Sequence, residues 1–116
     1  MNETWSALQL AKCQKYHTEP YPISDDQKLG IALNVRTDLQ PLNGLRHPAA
    51  GDTCGWYLWA GEELSKSPDF FVPIHVAHMD GWRPDAISFL QLPPGWRFII
   101  APGYEDVWFD DSLLEV

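Results

Sequence analysis

Histidines and paired carboxylates are the residues of this sequence best suited to chemistry. His75 and His78 stand three positions apart in the segment HVAH. Acidic residues also occur in adjacent pairs, among them Glu62-Glu63, Glu105-Asp106 and Asp110-Asp111. Two imidazoles at that spacing on a helix can bind one metal ion, and two carboxyl groups facing across a pocket can act as general acid and base. The pattern therefore admits a small enzyme or a ligand- or metal-binding protein that uses His75, His78 and nearby carboxylates.

The local context of these residues argues against such chemistry. Pro73 stands two positions before His75 and disfavours a regular helix there, and the zinc-protease pattern HExxH is absent. Neighbouring residues on a strand point to opposite faces, so adjacent carboxylates do not converge on one pocket. We interpret His75 and His78 as one packed and one exposed histidine, and we expect neither a metal site nor a catalytic pair.

Motifs for other reactions are missing as well. The chain contains no GxSxG nucleophile motif and no phosphate-binding GxxxxGKS/T loop. Cys13 and Cys54 are far apart and have no CxxC partner, so they predict neither a zinc site nor a disulfide framework. The expectation is a protein without catalytic residues and without a cofactor, in which both cysteines are buried free thiols.

The charge of the chain is unevenly distributed. The net charge is −8, and residues 1–50 hold five acids and five bases, so the whole imbalance lies in residues 51–116. A negative field repels nucleic acid and anionic membranes and attracts a basic partner, although an acidic surface can also serve solubility alone. No leader-like N-terminus and no apolar run of membrane-spanning length occurs, which predicts a cytoplasmic protein that binds neither nucleic acid nor membrane.

The elements that would position these residues begin with a helix. Residues 3–17 lack Gly and Pro, and Trp5, Leu8 and Ala11 recur at helical spacing, which predicts a helix with these side chains on its buried face. In the segment KLGIALNV that follows, alternate positions are apolar, which predicts a strand with one buried face formed by Leu29, Ile31, Leu33 and Val35. Asn43-Gly44, flanked by leucines, indicates a tight hairpin turn.

The segment GWYLWAGEE, residues 55–63, predicts a central strand. Trp56 and Leu58 alternate with Tyr57 and Trp59, so both faces of the strand are apolar. Gly61 ends the strand, and the two glutamates that follow it are delivered to the surface. The tryptophans are therefore interpreted as core, and the carboxylates as candidates for meeting a partner.

The rest of the chain completes one domain. Pro73 excludes a central strand at its position, and Pro84 fits the first turn of a helix that runs to about Leu90. GWRFIIA predicts a third strand, APGYED a turn, and VWF the core of a fourth strand. The order of elements predicts a single α+β domain over residues 1–116, with an N-terminal helix, one or two short helices and a largely antiparallel sheet of about four to six strands.

The most distinctive pieces of the chain are GWYLWAGEE, PDFF, PPGWRF and GYEDVWFD. With the sequence around them, they resemble the immunity protein 33 domain family of bacterial polymorphic-toxin systems. The similarity runs from about Lys28 to the C-terminus, over residues 28–116, and weakens over the N-terminal helix. It implies a small acidic protein that protects its cell by binding a toxin encoded beside it, and it brings no catalytic motif.

These observations predict an inhibitor whose partner is a cognate toxin of basic charge. A nuclease is one hypothesis for that toxin, because a negative field imitates the phosphates of its substrate. An interaction domain that serves no toxin remains an alternative. The candidate partner-binding residues are acids and charge-rimmed aromatics at the ends of predicted elements, namely Glu62, Glu63, Asp69, Asp80, Trp82, Tyr104, Glu105, Asp106, Asp110 and Asp111.

Overall fold

One helix and six strands carry the fold in the computed structural model, which describes residues 3–115. The helix α1 spans Glu3–Lys15, and the strands are β1 Lys28–Ala32, β2 Leu42–Arg46, β3 Thr53–Ala60, β4 Phe71–His75, β5 Trp96–Ala101 and β6 Tyr104–Phe109. Short 3₁₀ helices connect or follow the strands, namely η1 Leu33–Arg36, η2 Val76–Gly81, η3 Pro84–Phe89 and η4 Asp111–Leu114.

The strands form one sheet in the order β4-β1-β3-β2-β5-β6. The pair β1 and β3 is parallel, and the other neighbouring pairs are antiparallel. The predicted α+β class with a largely antiparallel sheet is therefore confirmed. Pro73 lies in the edge strand β4, where a missing backbone N–H costs no ladder hydrogen bond on the outer side, as its position predicted.

Strand β3 lies inside the sheet between β1 and β2, and both of its faces are apolar as predicted. Trp56 and Leu58 are fully buried in the main core, which the sheet forms with α1, η2 and η3. The indole Nε1 of Trp56 donates to the carbonyl of Leu90 at 2.9 Å. Trp59 faces the other side of the sheet, where it packs in a smaller cluster with Leu45. Strand β3 therefore contributes one face to each of the two apolar clusters.

The buried face of α1 differs from the predicted one. Trp5 packs against the core, but Leu8 is 51% exposed and Ala11 is also exposed. Gln9 and Cys13 are buried in their place. The side-chain amide of Gln9 donates to the carbonyl of Ile87 at 3.1 Å, so a polar residue with a distant hydrogen-bond partner occupies the helix interface.

Asn43-Gly44 is not a hairpin turn, and that prediction was wrong. Both residues lie inside β2, between β3 and β5. A Cβ atom on Gly44 would stand 2.2 Å from the ring of Phe98 in β5, so the glycine makes room for an aromatic ring across the sheet. Asn43 keeps its place because its amide bonds to backbone carbonyls near the end of β3.

Two strand boundaries also differ from the predictions. β1 ends at Ala32, so Leu33 does not continue the buried face and is 61% exposed in η1. β6 begins at Tyr104, and only Pro102 and Gly103 separate it from β5. The predicted turn APGYED is therefore mostly strand. Gly103 has a φ of +72°, which glycine adopts without strain at such a tight turn.

Arg46 is fully buried in the main core and is held by backbone carbonyls. Its Nε donates to Cys54 O at 2.9 Å, and its Nη1 donates to Leu92 O at 2.9 Å and to Leu90 O and Tyr21 O at 3.2 Å each. Burial lowers the pKa of the guanidinium, which reflects the cost of placing a charge there. Arg46 thereby joins β2 and β3 to the loops that follow α1 and η3.

Within residues 3–115, no helix combines the length and apolar character required to cross a bilayer.

Candidate partner-binding surface

The turn after β3 presents Glu62 and Glu63 from a fixed backbone. Gly61 has a φ of +89°, a conformation that side-chain-bearing residues rarely adopt. Its N–H donates to Pro41 O at 2.8 Å, and its carbonyl accepts from Asn43 Nδ2 at 2.7 Å. The chain can therefore leave the sheet sharply at this point without an unpaired backbone group at Gly61.

Asn34 holds the residue before this turn. Its Nδ2 donates to Ala60 O at 2.9 Å, and its Oδ1 accepts from Ala60 N at 2.9 Å. A side-chain amide thus replaces the backbone of a neighbouring strand, since it offers the same donor and acceptor pair. The two glutamates start from a backbone that is anchored on both η1 and β2, which reduces the conformational entropy they would lose on binding a partner.

A groove of about 490 Å³ runs beside the two glutamates. Besides Glu62 and Glu63, its lining includes Leu39, Leu64 and Phe70. Leu39 is 49% exposed and Leu64 is 46% exposed. Exposed apolar side chains bordered by carboxylates are the arrangement expected of a protein-binding surface. We call this set of five residues the acidic groove.

Aromatic rings continue from the acidic groove onto the sheet face opposite α1. The ring of Phe71 makes edge contacts with those of Phe70, Tyr57 and Trp59, at centroid distances of 4.9, 5.2 and 6.3 Å. We call Tyr57, Trp59, Phe70 and Phe71 the aromatic face. A Cβ on Gly30 would stand 2.7 Å from the Tyr57 ring, so the ring lies directly over β1.

Apart from Glu105, the predicted partner-binding residues fall into three groups. Glu62, Glu63 and Asp69 share the segment between β3 and β4 and are exposed. Tyr104 lies at the same end of the sheet, because it pairs with Ala101 at the start of β6. Tyr104 is 54% exposed, and Asp106 on the same strand is exposed as well. These residues could contact one partner, whereas the others lie elsewhere.

The second and third groups lie away from the acidic groove. Asp110 and Asp111 lie at the opposite end of the sheet, where Asp110 accepts from the backbone and hydroxyl of Ser112 and from Arg97 at 3.2 Å. Asp80 is exposed in η2, and Trp82 follows it. The guanidinium carbon of Arg36 lies 3.7 Å from the Trp82 ring centroid, so an internal cation already covers one face of that ring.

Glu105 is engaged by the helix. Its carboxylate accepts from Lys12 Nζ at 2.9 Å, from Lys15 Nζ at 3.0 Å and from the Tyr16 hydroxyl. Partial burial acts to raise the pKa of Glu105, but these three donors outweigh it and lower the pKa to about 2. Glu105 therefore ties the end of α1 to the edge strand β6.

Glu105→Gln is expected to lower the free energy of unfolding at pH 7 by about 1–2 kcal/mol, because the amide lacks the charge that the three donors stabilise. Solvent screens charges at this partly exposed site, so the loss is smaller than the pKa difference alone implies. The folded-state pKa is depressed, so the ionised carboxylate stabilises the fold above its ordinary pKa of 4.5, and this contribution fades as the pH falls toward 2. Urea unfolding at several pH values measures the effect.

The matched control for this experiment is Asp106→Asn, which removes a carboxylate from the next position of the same strand. Asp106 has no ion pair in the part of the chain that the structure describes. We expect its replacement to change stability by less than about 0.5 kcal/mol. A pH-independent difference between wild type and Glu105→Gln would contradict the electrostatic explanation.

The histidines lie at the end of β4 and in η2. The ring centroids of His75 and His78 are 5.8 Å apart, and both side chains are exposed, so the interpretation of one packed and one exposed histidine was wrong. Among residues 3–115, no group of three His, Cys, Asp or Glu side chains is arranged to hold a metal ion. Cys13 and Cys54 are buried free thiols, and burial raises the pKa of each. No observation at these positions favours the enzymatic alternative.

Comparison with known protein families gives a match over most of the chain. A family model described as the Imm33-like domain matches residues 8–110. The chain belongs to the Imm33-like domain family. The resemblance seen in the sequence is therefore confirmed, and the match also includes much of α1. No curated protein and no solved structure gives a match.

The family's description indicates the immunity-protein class, whose general partners are toxins. In this Imm33-like domain, only some of the residues that build the acidic groove could be predicted from the sequence. Glu62 and Glu63 could be found because a strand ends before them. Asn34 could not, because it lies 26 positions from the residue it holds. Leu39 and Leu64 carried no signal, since single leucines in irregular segments are common.

Proposed function

We propose that this Imm33-like domain is a cytoplasmic immunity protein that binds a cognate toxin and neutralises it by covering part of its surface. The observation that carries the proposal is the acidic groove, in which Glu62 and Glu63 stand on an anchored turn beside exposed leucines. The proposed function requires that the protein binds its toxin, and it requires no catalysis. The membership in the Imm33-like family supports a toxin as the kind of partner.

The charge of the partner is proposed from the way this chain uses its own cations. Most basic side chains are paired internally, in Lys12–Glu105, Lys15–Glu105, Lys28–Asp52, Arg83–Asp85 and Arg97–Asp110. The carboxylates of Glu62, Glu63 and Asp69 have no ion pair within residues 3–115. Carboxylates without an internal cation therefore remain at the acidic groove, where the partner is proposed to bind, which favours a basic toxin.

A nuclease is the toxin class that this charge fits best, because its active site attracts phosphates. The test is the rate of association with the product of the adjacent gene, measured by stopped-flow fluorescence at increasing salt. Electrostatic steering predicts an association rate that falls steeply with ionic strength. An association rate that does not change with salt would contradict a charge-guided encounter, and failure of the two proteins to copurify would contradict the proposed function itself.

Changing Glu62 and Glu63 together to lysine is expected to weaken binding to the toxin by at least about tenfold, because two like charges then face a basic surface. Isothermal titration calorimetry with the copurified toxin measures the change. The fold should remain intact, since both side chains are exposed and the anchoring bonds at Gly61 and Ala60 involve only backbone of this segment.

The matched control is the double change of Glu19 and Asp26 to lysine. It alters the net charge by the same amount at exposed positions between α1 and β1, away from the acidic groove. We expect only a modest fall in association rate. Unfolding of the Glu62 and Glu63 variant would show that these carboxylates serve the fold, and an equal loss of affinity in the control would show that the groove is not the contact surface.

A further inference from the structure

The sheet face opposite α1 holds an apolar cavity next to the acidic groove. Its volume is about 220 Å³, and it is lined by Leu45, His47, Tyr57, Trp59, Leu64 and Phe71. An apolar cavity of about 150 Å³ is enough to accommodate benzene. The cavity is therefore large enough for a bulky apolar side chain from another molecule.

Trp59 contributes an unsatisfied polar group to this region. The residue is 3% exposed, and its indole Nε1 has no hydrogen-bond partner in the part of the chain from residue 3 to residue 115. Trp56, two positions earlier on the same strand, donates its Nε1 to Leu90 O. A buried donor without an acceptor is unfavourable, and such groups in native proteins call for a specific explanation. One such explanation is an acceptor that a bound partner supplies to Trp59 Nε1.

Leu64 lines the cavity from a segment that is not hydrogen-bonded to the sheet. The hydrogen bonds that the structure gives to residues 62–69 join Ser65 to Ser67, Ser67 to Asp69 and Ser67 to Phe70. Leu64 can therefore move aside without breaking a bond to β2 or β3. The same segment carries Glu62 and Glu63, so the charges that attract a basic partner lie beside Leu64, the side chain that would have to move.

On the other side, η4 closes the aromatic face. Leu113 is 7% exposed and packs with Leu45 and Trp59, and its carbonyl is 2.9 Å from His47 Nδ1. His47, which this contact joins to η4, lines one part of the cavity, and Leu64, from the segment without hydrogen bonds to the sheet, lines another. This asymmetry points to entry from the side of the acidic groove.

We propose that the cavity receives a bulky apolar side chain from a surface loop of the cognate toxin. Basic residues that flank this side chain pair with Glu62 and Glu63, and a backbone carbonyl of the loop accepts a hydrogen bond from Trp59 Nε1. The inference rests on the proposed function and adds the chemistry of the contact. An apolar pocket that adjoins two carboxylates at Leu64 favours a loop with both apolar and basic side chains.

The decisive variant is Trp59→Phe, which removes the indole N–H and keeps a ring in place. Binding of the toxin encoded by the adjacent gene should weaken about threefold to tenfold, the range expected for one lost hydrogen bond. The midpoint of urea unfolding should change little, because the loss of an unsatisfied buried donor offsets part of the packing lost with the smaller phenyl ring. The control is Trp108→Phe on the edge strand β6, which should bind as the wild type does.

A second measurement follows the same atom directly. In a ¹⁵N-labelled sample, the indole resonance of Trp59, assigned from its loss in Trp59→Phe, should shift downfield when the toxin binds. Leu64→Trp, which places a bulkier side chain at the cavity, should also lower affinity, by about tenfold. If the wild type binds but Trp59→Phe has unchanged affinity or the Trp59 resonance does not shift, the inference is wrong and the proposed function stands. If the wild type does not bind, both are overturned.

Discussion

Arg46→Ala is expected to lower the free energy of unfolding by about 4 kcal/mol or more, a large part of the total stability of a domain of this size. The substitution leaves a cavity in the core and removes a donor to four backbone carbonyls, those of Tyr21, Cys54, Leu90 and Leu92, of which Leu90 keeps its bond from Trp56 Nε1. Each buried carbonyl that loses its partner adds a desolvation cost. Urea unfolding followed by circular dichroism measures the change.

Two further variants separate the contributions of Arg46. Arg46→Met keeps most of the apolar volume and removes the charge, so the destabilisation that it retains reports the lost hydrogen bonds more than the cavity. Arg36→Ala is the control for arginine in general, because Arg36 is exposed. We expect a change below about 1 kcal/mol for Arg36→Ala. A loss below 1 kcal/mol in Arg46→Ala would mean that water satisfies the carbonyls.

Trp56→Ala is expected to cost about 3–5 kcal/mol of stability, the range for truncating a fully buried large aromatic residue. The side chain is 0% exposed, and its ring contacts that of Phe98 at a centroid distance of 5.5 Å. Thermal and urea unfolding measure the loss. Trp56→Phe tests the hydrogen bond with a smaller cavity than alanine leaves, because it keeps a ring while it removes the donor to Leu90.

The effects of Trp56 and Arg46 should not add. Both side chains donate to Leu90 O, and their side chains are near each other, with the guanidinium carbon 5.9 Å from the indole centroid. Residues that share a partner show coupling in double-mutant cycles. The destabilisation of the combined variant should therefore depart from the sum of the two single losses by at least about 0.5 kcal/mol. Strict additivity would indicate that the two anchors act independently. As a reference for an edge tryptophan, Trp108→Ala should cost less, since Trp108 is only half-buried.

The sequence predicted those elements whose identity is set by their own residues. β3 was recognisable because alternate positions are apolar on both faces, and β4 was correctly kept from the centre of the sheet by Pro73. The fold class followed from the order of such elements. The errors arose where a distant partner decides. Asn43-Gly44 has the composition of a turn, but Phe98 on the neighbouring strand β5 requires the glycine inside β2.

The same distinction holds for α1 and for the acidic groove. Hydrophobicity placed Leu8 in the core, whereas Gln9 is buried there because Ile87 and Gln91 supply its hydrogen bonds. Glu62 and Glu63 were predicted from the end of a strand, which is a local property. The hydrogen bonds that fix the backbone before Glu62 and Glu63 come from Asn34 and Asn43 in other elements. No local pattern in the sequence predicts these hydrogen bonds.

The amide of Asn34 has a consequence for how this family could diversify. Because one side chain completes the ladder at Ala60, the sheet ends in a closed set of hydrogen bonds, and the following segment contributes none to it. Insertions, deletions and charge changes in residues 62–69 can therefore accumulate without loss of the fold. If this segment contacts the proposed toxin, its sequence can change the choice of toxin while selection on stability acts on the sheet.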